Sequence, residues 1–475
     1  MSDKSGPNTD ALNQIKKLLG PSGWIDEPHR MQPYLTSWRN GSVGNSPLIA
    51  LPSTTQEVAS LVKICYQKQI PMTPQGGNTG LVGGSIPSQR GNELIVSLSR
   101  MNKICSFDAV GSSITVEAGV ILESLQDVAN DRGFLFPLSI ASEGSAQIGG
   151  IISTNAGGTG VLRYGNMREL VLGLEVVLPD GGIIANLKGL RKDNTGYNLS
   201  QYFIGAEGTL GIVTTATLKL FPKPNQTLTA ILAIPNAQCA LDLLQVFRKE
   251  CAEYLSAFEI MSAAALKLVI KNIPGARYPG KAETPYYLLV ELAASSISAP
   301  LRAVFENMAA QALDNGKILD AVLAESFEHA KQFWALREST SEALRKEGTG
   351  IHFDISLPLT QLADFLEDTG RKISAVAPEM TLMPFGHIGD GNIHYNMYMP
   401  APPTAIFRKQ IKEIVFTEVV RRHGSISAEH GIGIERKDEL KKYKAPAEIN
   451  LMHKIKRAID PDNLMNPGKI FDALY

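Results

Sequence analysis

Two stretches in the last quarter of the chain carry residue types that do metal chemistry. They are Gly386-His387-Ile388-Gly389-Asp390-Gly391-Asn392-Ile393-His394 and Ser427-Ala428-Glu429-His430-Gly431. Imidazole nitrogens and a carboxylate are borderline ligands suited to Zn²⁺ or a similar divalent ion, and three protein ligands leave positions open for a substrate. The glycines between His387 and His394 let the chain turn so that both rings reach one ion. The pattern therefore reads as an open metal site with a base beside it. A single buried histidine is more often a hydrogen-bonded structural residue, and that alternative stands for each ring taken alone. Asp390 is expected as a turn residue or as a hydrogen-bonding partner of a ligand histidine. His423, at the end of Arg421-Arg422-His423-Gly424, is expected to close a helix, and His29, His329 and His453 to do no chemistry.

A second kind of signal lies in the first half. Clustered glycines in Pro74-Gln75-Gly76-Gly77-Asn78-Thr79-Gly80-Leu81-Val82-Gly83-Gly84 allow successive backbone N–H groups to converge on an anion. No Gly-Lys-Ser/Thr follows, and no GxGxxG opens a helix, which argues against a nucleoside triphosphate loop and a Rossmann NAD site. Two further glycine-rich stretches run from Gly144 to Gly158 and from Gly205 to Ile212. Three such loops suit a ligand longer than one nucleotide, such as FAD.

These sites need several supporting elements. A chain of 475 residues is too long for one core, so at least two domains are expected. Ser53-Thr54-Thr55-Gln56 has the form of a capping box, and Val58, Leu61, Val62 and Cys65 follow at helical spacing, ending before Pro71. Leu94 to Leu98 and Ile114 to Val120 read as strands. Prolines in Phe221-Pro222-Lys223-Pro224 mark a boundary. Beyond it, strands such as Tyr286 to Leu292 alternate with helices, one of them predicted over Ser326 to Lys346, which suggests a helix-covered sheet. The tail after Ile434 reads as helical, with Ile449, Met452, Ile455 and Ala458 spaced to face a core.

A net charge of -1 gives no field that would recruit nucleic acid or an anionic membrane. Met1 to Asn8 carry no apolar leader region, and no apolar run is long enough to span a bilayer. Cys65, Cys105, Cys239 and Cys251 form no CxxC pair. A cytoplasmic location without stable membrane insertion is expected.

The loop from Pro74 to Gly84, the stretch Ile148 to Gly158, Asp193-Asn194-Thr195-Gly196-Tyr197 and Phe203-Ile204-Gly205-Ala206-Glu207-Gly208-Thr209-Leu210-Gly211 resemble the FAD-binding half of the vanillyl-alcohol-oxidase/p-cresol-methylhydroxylase (PCMH) flavoproteins. The two histidine stretches, Trp334-Ala335-Leu336-Arg337-Glu338 and Asn466-Pro467-Gly468-Lys469 resemble its branch that oxidises D-2-hydroxy acids. The likeness runs from about Pro47 to Phe471. It implies an α+β chain: a two-subdomain PCMH-type FAD-binding domain at 1–222, an α/β substrate and metal (cap) domain at 223–433, and a helical C-terminal segment at 434–475 returning to the first domain.

By that resemblance, FAD is contacted by Pro74, Gly76, Gly77, Asn78, Thr79, Gly80, Ser145, Ile148, Gly149, Asn155, Gly158, Ile212 and Asn466. No histidine or cysteine lies between Cys105 and Cys239, and none in the Pro74 loop, so the flavin is expected to be noncovalent. The resemblance makes His387, His394 and Glu429 the metal ligands and His430 the general base. It gives the substrate to Arg337, Ser341, His352 and Asn396. Arg337 and Ser341 lie four apart on the one predicted helix and would share a face. The branch commonly has lysine where His352 stands and threonine where Ser341 stands. The first change removes a permanent charge from the capture of a distal carboxylate. D-2-hydroxyglutarate, D-lactate and D-malate (glycolate-type acids) therefore remain as candidate substrates. Electrons would pass to an external acceptor such as electron-transfer flavoprotein or a quinone, and a homodimer is plausible. Two other classes stay open: a noncatalytic flavin-binding subunit of a larger oxidase, and a metal-dependent hydrolase that would leave the glycine loops unexplained.

Overall fold

The computed structural model describes residues 9–39, 41–348, 350–399 and 401–472; the leader reading at Met1 to Asn8 falls outside them. Contacts divide the chain into two units. Unit 1 comprises the chain up to Gly157, Gly165–Pro222 and His430 onward; unit 2 comprises Gly158–Tyr164 and Lys223–Glu429.

Unit 1 holds two principal sheets. The smaller runs Trp24–Ile25, Ile49–Ala50, Leu94–Ser97, Met72–Gln75, with the last two parallel. The helix Thr55–Lys68 buries Val58, Leu61, Val62 and Cys65 in the core over this sheet. Its cap sits one residue later than the sequence suggested: Thr54 accepts from Glu57 N–H, and the Glu57 carboxylate reaches back to Ser53 N–H at 2.7 Å. Glu57 is the better reciprocal acceptor because it carries charge at the helix N-terminus. The larger sheet runs Ile104–Asp108, Ser113–Glu117, Ile212–Lys219, Val171–Val177, Ile183–Asn186, all antiparallel. In the C-terminal segment the expected core face is weak: on the helix Pro446–Ile459, Ile449, Met452 and Ile455 are only half-buried and Ala458 is exposed. The buried residues there are polar. Lys456 Nζ donates to Thr209 O and Met465 O and pairs with Asp460.

Unit 2 is built on an antiparallel eight-stranded sheet. Its path is Asp320–Leu323, Gln226–Ile234, Tyr286–Ala294, Leu255–Ser262, Thr381–Gly386, Asn392–Tyr398, Gly350–Ile351, and Asp354–Ser356 also pairs with Asn392–Tyr398. The helix expected over Ser326 to Lys346 is two helices, Phe327–Glu338 and Thr340–Glu347, broken at Ser339. The Thr340 hydroxyl bonds to Arg337 O at 2.9 Å, a local side-chain bond of the kind that competes with helix continuation. Among the described residues no helix is long and apolar enough to cross a membrane.

Candidate metal centre and cofactor loops

Sheet register brings the unit 2 site together. In the hairpin of Thr381–Gly386 and Asn392–Tyr398, Phe385 pairs with His394, and Asp354 on the next strand pairs with His394 from the other side. On the opposite flank Ile260 pairs with Gly386, which sets Glu259 beside the turn carrying His387. That turn depends on glycine. Gly391 has φ +88°, and a Cβ there would meet Leu357 O at 2.4 Å. Asp390 acts within the turn, accepting from Asn392 N–H at 3.0 Å, and burial raises its carboxyl to about 6.

The Glu429 carboxylate stands between the two histidines. Its Oε1 lies 3.8 Å from His387 Nε2 and its Oε2 lies 3.7 Å from His394 Nε2. Both distances exceed a hydrogen bond, and an ion with bonds of about 2.0–2.2 Å to nitrogen and oxygen would bridge them. Asp354, His394 and Glu429 belong to a group whose ligand atoms lie within 4.8 Å of one another, and His387 stands just outside that group, 3.8 Å from Glu429. The donor set thus fits a divalent ion. Glu429 is held from two sides: Oε1 accepts from Gly158 N–H, and its own N–H donates to Asp354 Oδ2, each at 2.8 Å. Burial, with Asp354 nearby, raises the Glu429 carboxyl against the pull of His387.

Behind His387 lies a carboxylate that sequence reasoning missed. Glu259, 1% exposed, accepts from His387 Nδ1 through Oε1 and from Arg337 Nε through Oε2, both at 2.8 Å. Burial opposes its charge, but His387 and Arg337 hold it down to about 2. Burial likewise disfavours imidazolium at His387, and Glu259 more than offsets this, lifting the ring to about 9 in the metal-free protein. No pattern around Glu259 in Ala257-Phe258-Glu259-Ile260 marks it; a charge inside an apolar strand was the available signal.

Of the expected substrate residues, two are close to this centre. Arg337 is buried, with its Nε and Nη2 edge on Glu259 and its guanidinium 5.0 Å from the Phe385 ring centroid. Asn396 is buried on the same strand face as His394, its Oδ1 accepting from Phe353 N–H at 3.3 Å. Ser341 does not share Arg337's face as expected: the break at Ser339 leaves it exposed on the following helix. His352 is exposed in the gap between Gly350–Ile351 and Asp354–Ser356. Asp354, two residues on, is fully buried. His430 follows Glu429 directly, half-buried, as the first residue of the segment returning to unit 1.

Within unit 1 the glycine loops meet. A Cβ on Gly77 would lie 1.9 Å from Ser145 O, and one on Gly149 2.8 Å from the Ala118 Cβ. Pro74 belongs to the strand Met72–Gln75; Gly76, Gly77, Asn78 and Thr79 are half-buried, while Gly80 and Ser145 are exposed. Asn78, at φ +54°, donates to Pro33 O and Thr36 O. Ile148 and Gly149 open the helix Ile148–Thr154, Asn155 closes it in a left-handed conformation, and Ile212 begins the strand Ile212–Lys219. Gly158 is counted with unit 2, and its N–H donates to Glu429 Oε1. Asn466 donates through Nδ2 to Gly84 O and Glu207 O. Asn466 Oδ1 and Gln147 Oε1 are buried acceptors with no partner among the described residues, which suits a ligand carrying N–H or O–H groups. Glu207, buried at φ +51°, accepts from Ile432 N–H and Gly433 N–H at 2.8 Å and so fixes the chain just after His430.

Comparison with known proteins agrees with both halves. The FAD binding domain family matches residues 46–185, and the family of FAD linked oxidases, C-terminal domain, matches residues 223–470. The chain is 39% identical to mitochondrial D-2-hydroxyglutarate dehydrogenase of Bos taurus, over 97% of this chain and 83% of the relative. It is 37% identical to a putative mitochondrial D-lactate dehydrogenase of Schizosaccharomyces pombe, over 96% and 89%. Among solved structures, p-cresol methylhydroxylase with substrate bound superposes with a TM-score of 0.75 at 18% identity, covering 98% of each chain.

Proposed function

The chain belongs to the FAD-linked oxidases of the vanillyl-alcohol-oxidase/p-cresol-methylhydroxylase superfamily, within the D-2-hydroxyacid dehydrogenases, and on that premise we propose that it oxidises D-2-hydroxyglutarate to 2-oxoglutarate. The observation that carries the metal-dependent part is the Glu429 carboxylate, with one oxygen facing each of two imidazoles at 3.8 and 3.7 Å.

His387, His394 and Glu429 would hold the ion, with Asp354 beside them, and the unit 1 loops would hold a noncovalent FAD. When bound, the ion polarises the substrate hydroxyl and FAD accepts the hydride from the carbon that bears it. The protein's own residues do the rest. His430 takes the hydroxyl proton at a ring nitrogen, a role suited to an imidazole near neutral pH. Arg337, with one edge of its guanidinium on Glu259, keeps its Nη1 side for a substrate carboxylate, and Asn396 supports the same face. The reduced cofactor would pass electrons to electron-transfer flavoprotein or a quinone. Four free cysteines support a reducing compartment such as the cytoplasm.

A second reading, D-lactate or D-malate oxidation, is favoured by one feature: His352 replaces the expected lysine and is exposed. Anaerobic bleaching of the flavin by D-2-hydroxyglutarate, D-malate and D-lactate tests the choice. Fast bleaching by D-2-hydroxyglutarate supports the proposal. Bleaching by D-lactate alone moves the enzyme to short-chain acids, and no bleaching by any of the three contradicts the function.

A further inference from the structure

We propose that Glu259 is a positioning residue that ties metal binding to the grip on the substrate's acid group, through His387 on one oxygen and Arg337 on the other. The inference rests on the proposed function for the role of Arg337, but its metal half stands on the side-chain geometry alone.

Glu259 lies in the apolar strand Leu255–Ser262, 1% exposed, where an uncompensated carboxylate would be costly. It persists because both oxygens are used. Oε1 accepts a hydrogen bond from His387 Nδ1–H, which leaves Nε2, the nitrogen facing Glu429, as the one that would bind a metal. A carboxylate behind a ligand histidine fixes the ring's tautomer and orientation and raises its basicity. Oε2 takes Arg337 Nε and Nη2 at 2.8 Å, so the guanidinium plane is set by the same group. The Phe385 ring under that guanidinium adds a second constraint. One rigid carboxylate thus orients a ligand of the metal and a cation for the substrate. A shift in either partner is felt by the other.

Substitution separates this from a merely structural role. Glu259→Gln keeps the volume but has a single acceptor oxygen, so its NH2 must face either the Nδ1–H of His387 or the guanidinium, both donors. Metal affinity is read by chelator competition on the FAD-loaded protein without substrate, and KM and kcat are read at saturating metal. For Glu259→Gln the metal dissociation constant is expected to rise about 10- to 100-fold, the usual cost of losing such a partner. KM is expected to rise, with kcat changing far less.

The decisive variant is Arg337→Met. Arg337 is not in the proposed ligand set, yet removing it leaves the buried carboxylate with one partner and takes a positive charge from beside His387, so metal affinity is expected to change at least about threefold. Unchanged metal affinity in Arg337→Met would overturn the coupling. Unchanged affinity in Glu259→Gln would overturn the positioning role. Glu259→Asp, which retains two acceptor oxygens, should recover part of the affinity; if it behaves as Gln does, the loss is one of packing and the inference fails. If the protein binds metal as described but oxidises none of the tested acids, the functional reading falls and the metal linkage still stands. A wild type that takes up no divalent ion overturns both.

Discussion

Asp354→Asn is nearly isosteric and should nevertheless be expensive. Asp354 is fully buried, and its two oxygens accept from different donors: Oδ1 from Asn392 Nδ2 at 3.0 Å and Oδ2 from Glu429 N–H at 2.8 Å. An asparagine here must turn its NH2 toward one of these two donors, whichever way the amide is flipped. One hydrogen bond to a charged acceptor is lost, worth about 1.5–3 kcal/mol, and the donor facing the amide is left buried and unpaired. A total near 3 kcal/mol follows, or about 6–12 °C in the melting of a unit this size. The same change removes a negative charge from the group that includes His394 and Glu429 and loosens the backbone at Glu429. Metal affinity should therefore fall about 10- to 100-fold. Calorimetry and chelator competition on the purified variant measure the two losses. A melting temperature within 1 °C of wild type together with metal affinity within about twofold would refute the reasoning.

Other perturbations have equally definite outcomes. His430→Ala should slow flavin reduction by substrate about 10²- to 10⁴-fold while leaving FAD content unchanged, as rapid-mixing absorbance would show. Gly77→Ala places a Cβ 1.9 Å from Ser145 O, so the two loops must part; retention of FAD through gel filtration should fall sharply. Glu418 is opposed by burial but held down to about 2 by Lys372, Arg421 and Arg422. Its folded value lies below the ordinary carboxylate value, so its stabilisation is complete above about pH 4.5 and is lost as pH falls toward 2. Urea titrations of wild type and Glu418→Gln should therefore converge in that acid range and differ at neutral pH.

Much of this site was legible because glycine and histidine are informative at short spacing. The Gly386–His394 stretch announces a tight turn between two candidate ligands, and the hairpin realises it. What the sequence hides is partnership at long range. Glu259 is 128 residues from His387, and only the pairing of Ile260 with Gly386 makes them neighbours. Asp354 is buried while His352, two residues before it, is exposed, because the chain leaves the sheet between Ile351 and Asp354, and nothing in the local sequence marks that interruption. The helix break at Ser339, where the Thr340 hydroxyl bonds Arg337 O, is marked by no glycine or proline between Phe327 and Glu347. Gly158, which the resemblance gives to the cofactor, has its N–H on Glu429, a long-range partner that the sequence does not show. On the helix Pro446–Ile459 the apolar spacing is a poor guide to burial, because the buried residue is Lys456, satisfied by Thr209 O and Asp460.

The central claim is that a divalent ion held by His387, His394 and Glu429 is required for flavin reduction by a D-2-hydroxy acid. The direct measurement is anaerobic flavin bleaching by D-2-hydroxyglutarate before chelation, after chelation, and after one equivalent of Zn²⁺ is restored, with bound FAD quantified at each stage. The account predicts bleaching that chelation abolishes and the ion restores while FAD content stays constant. Bleaching at the same rate in the chelated, metal-free protein would contradict it.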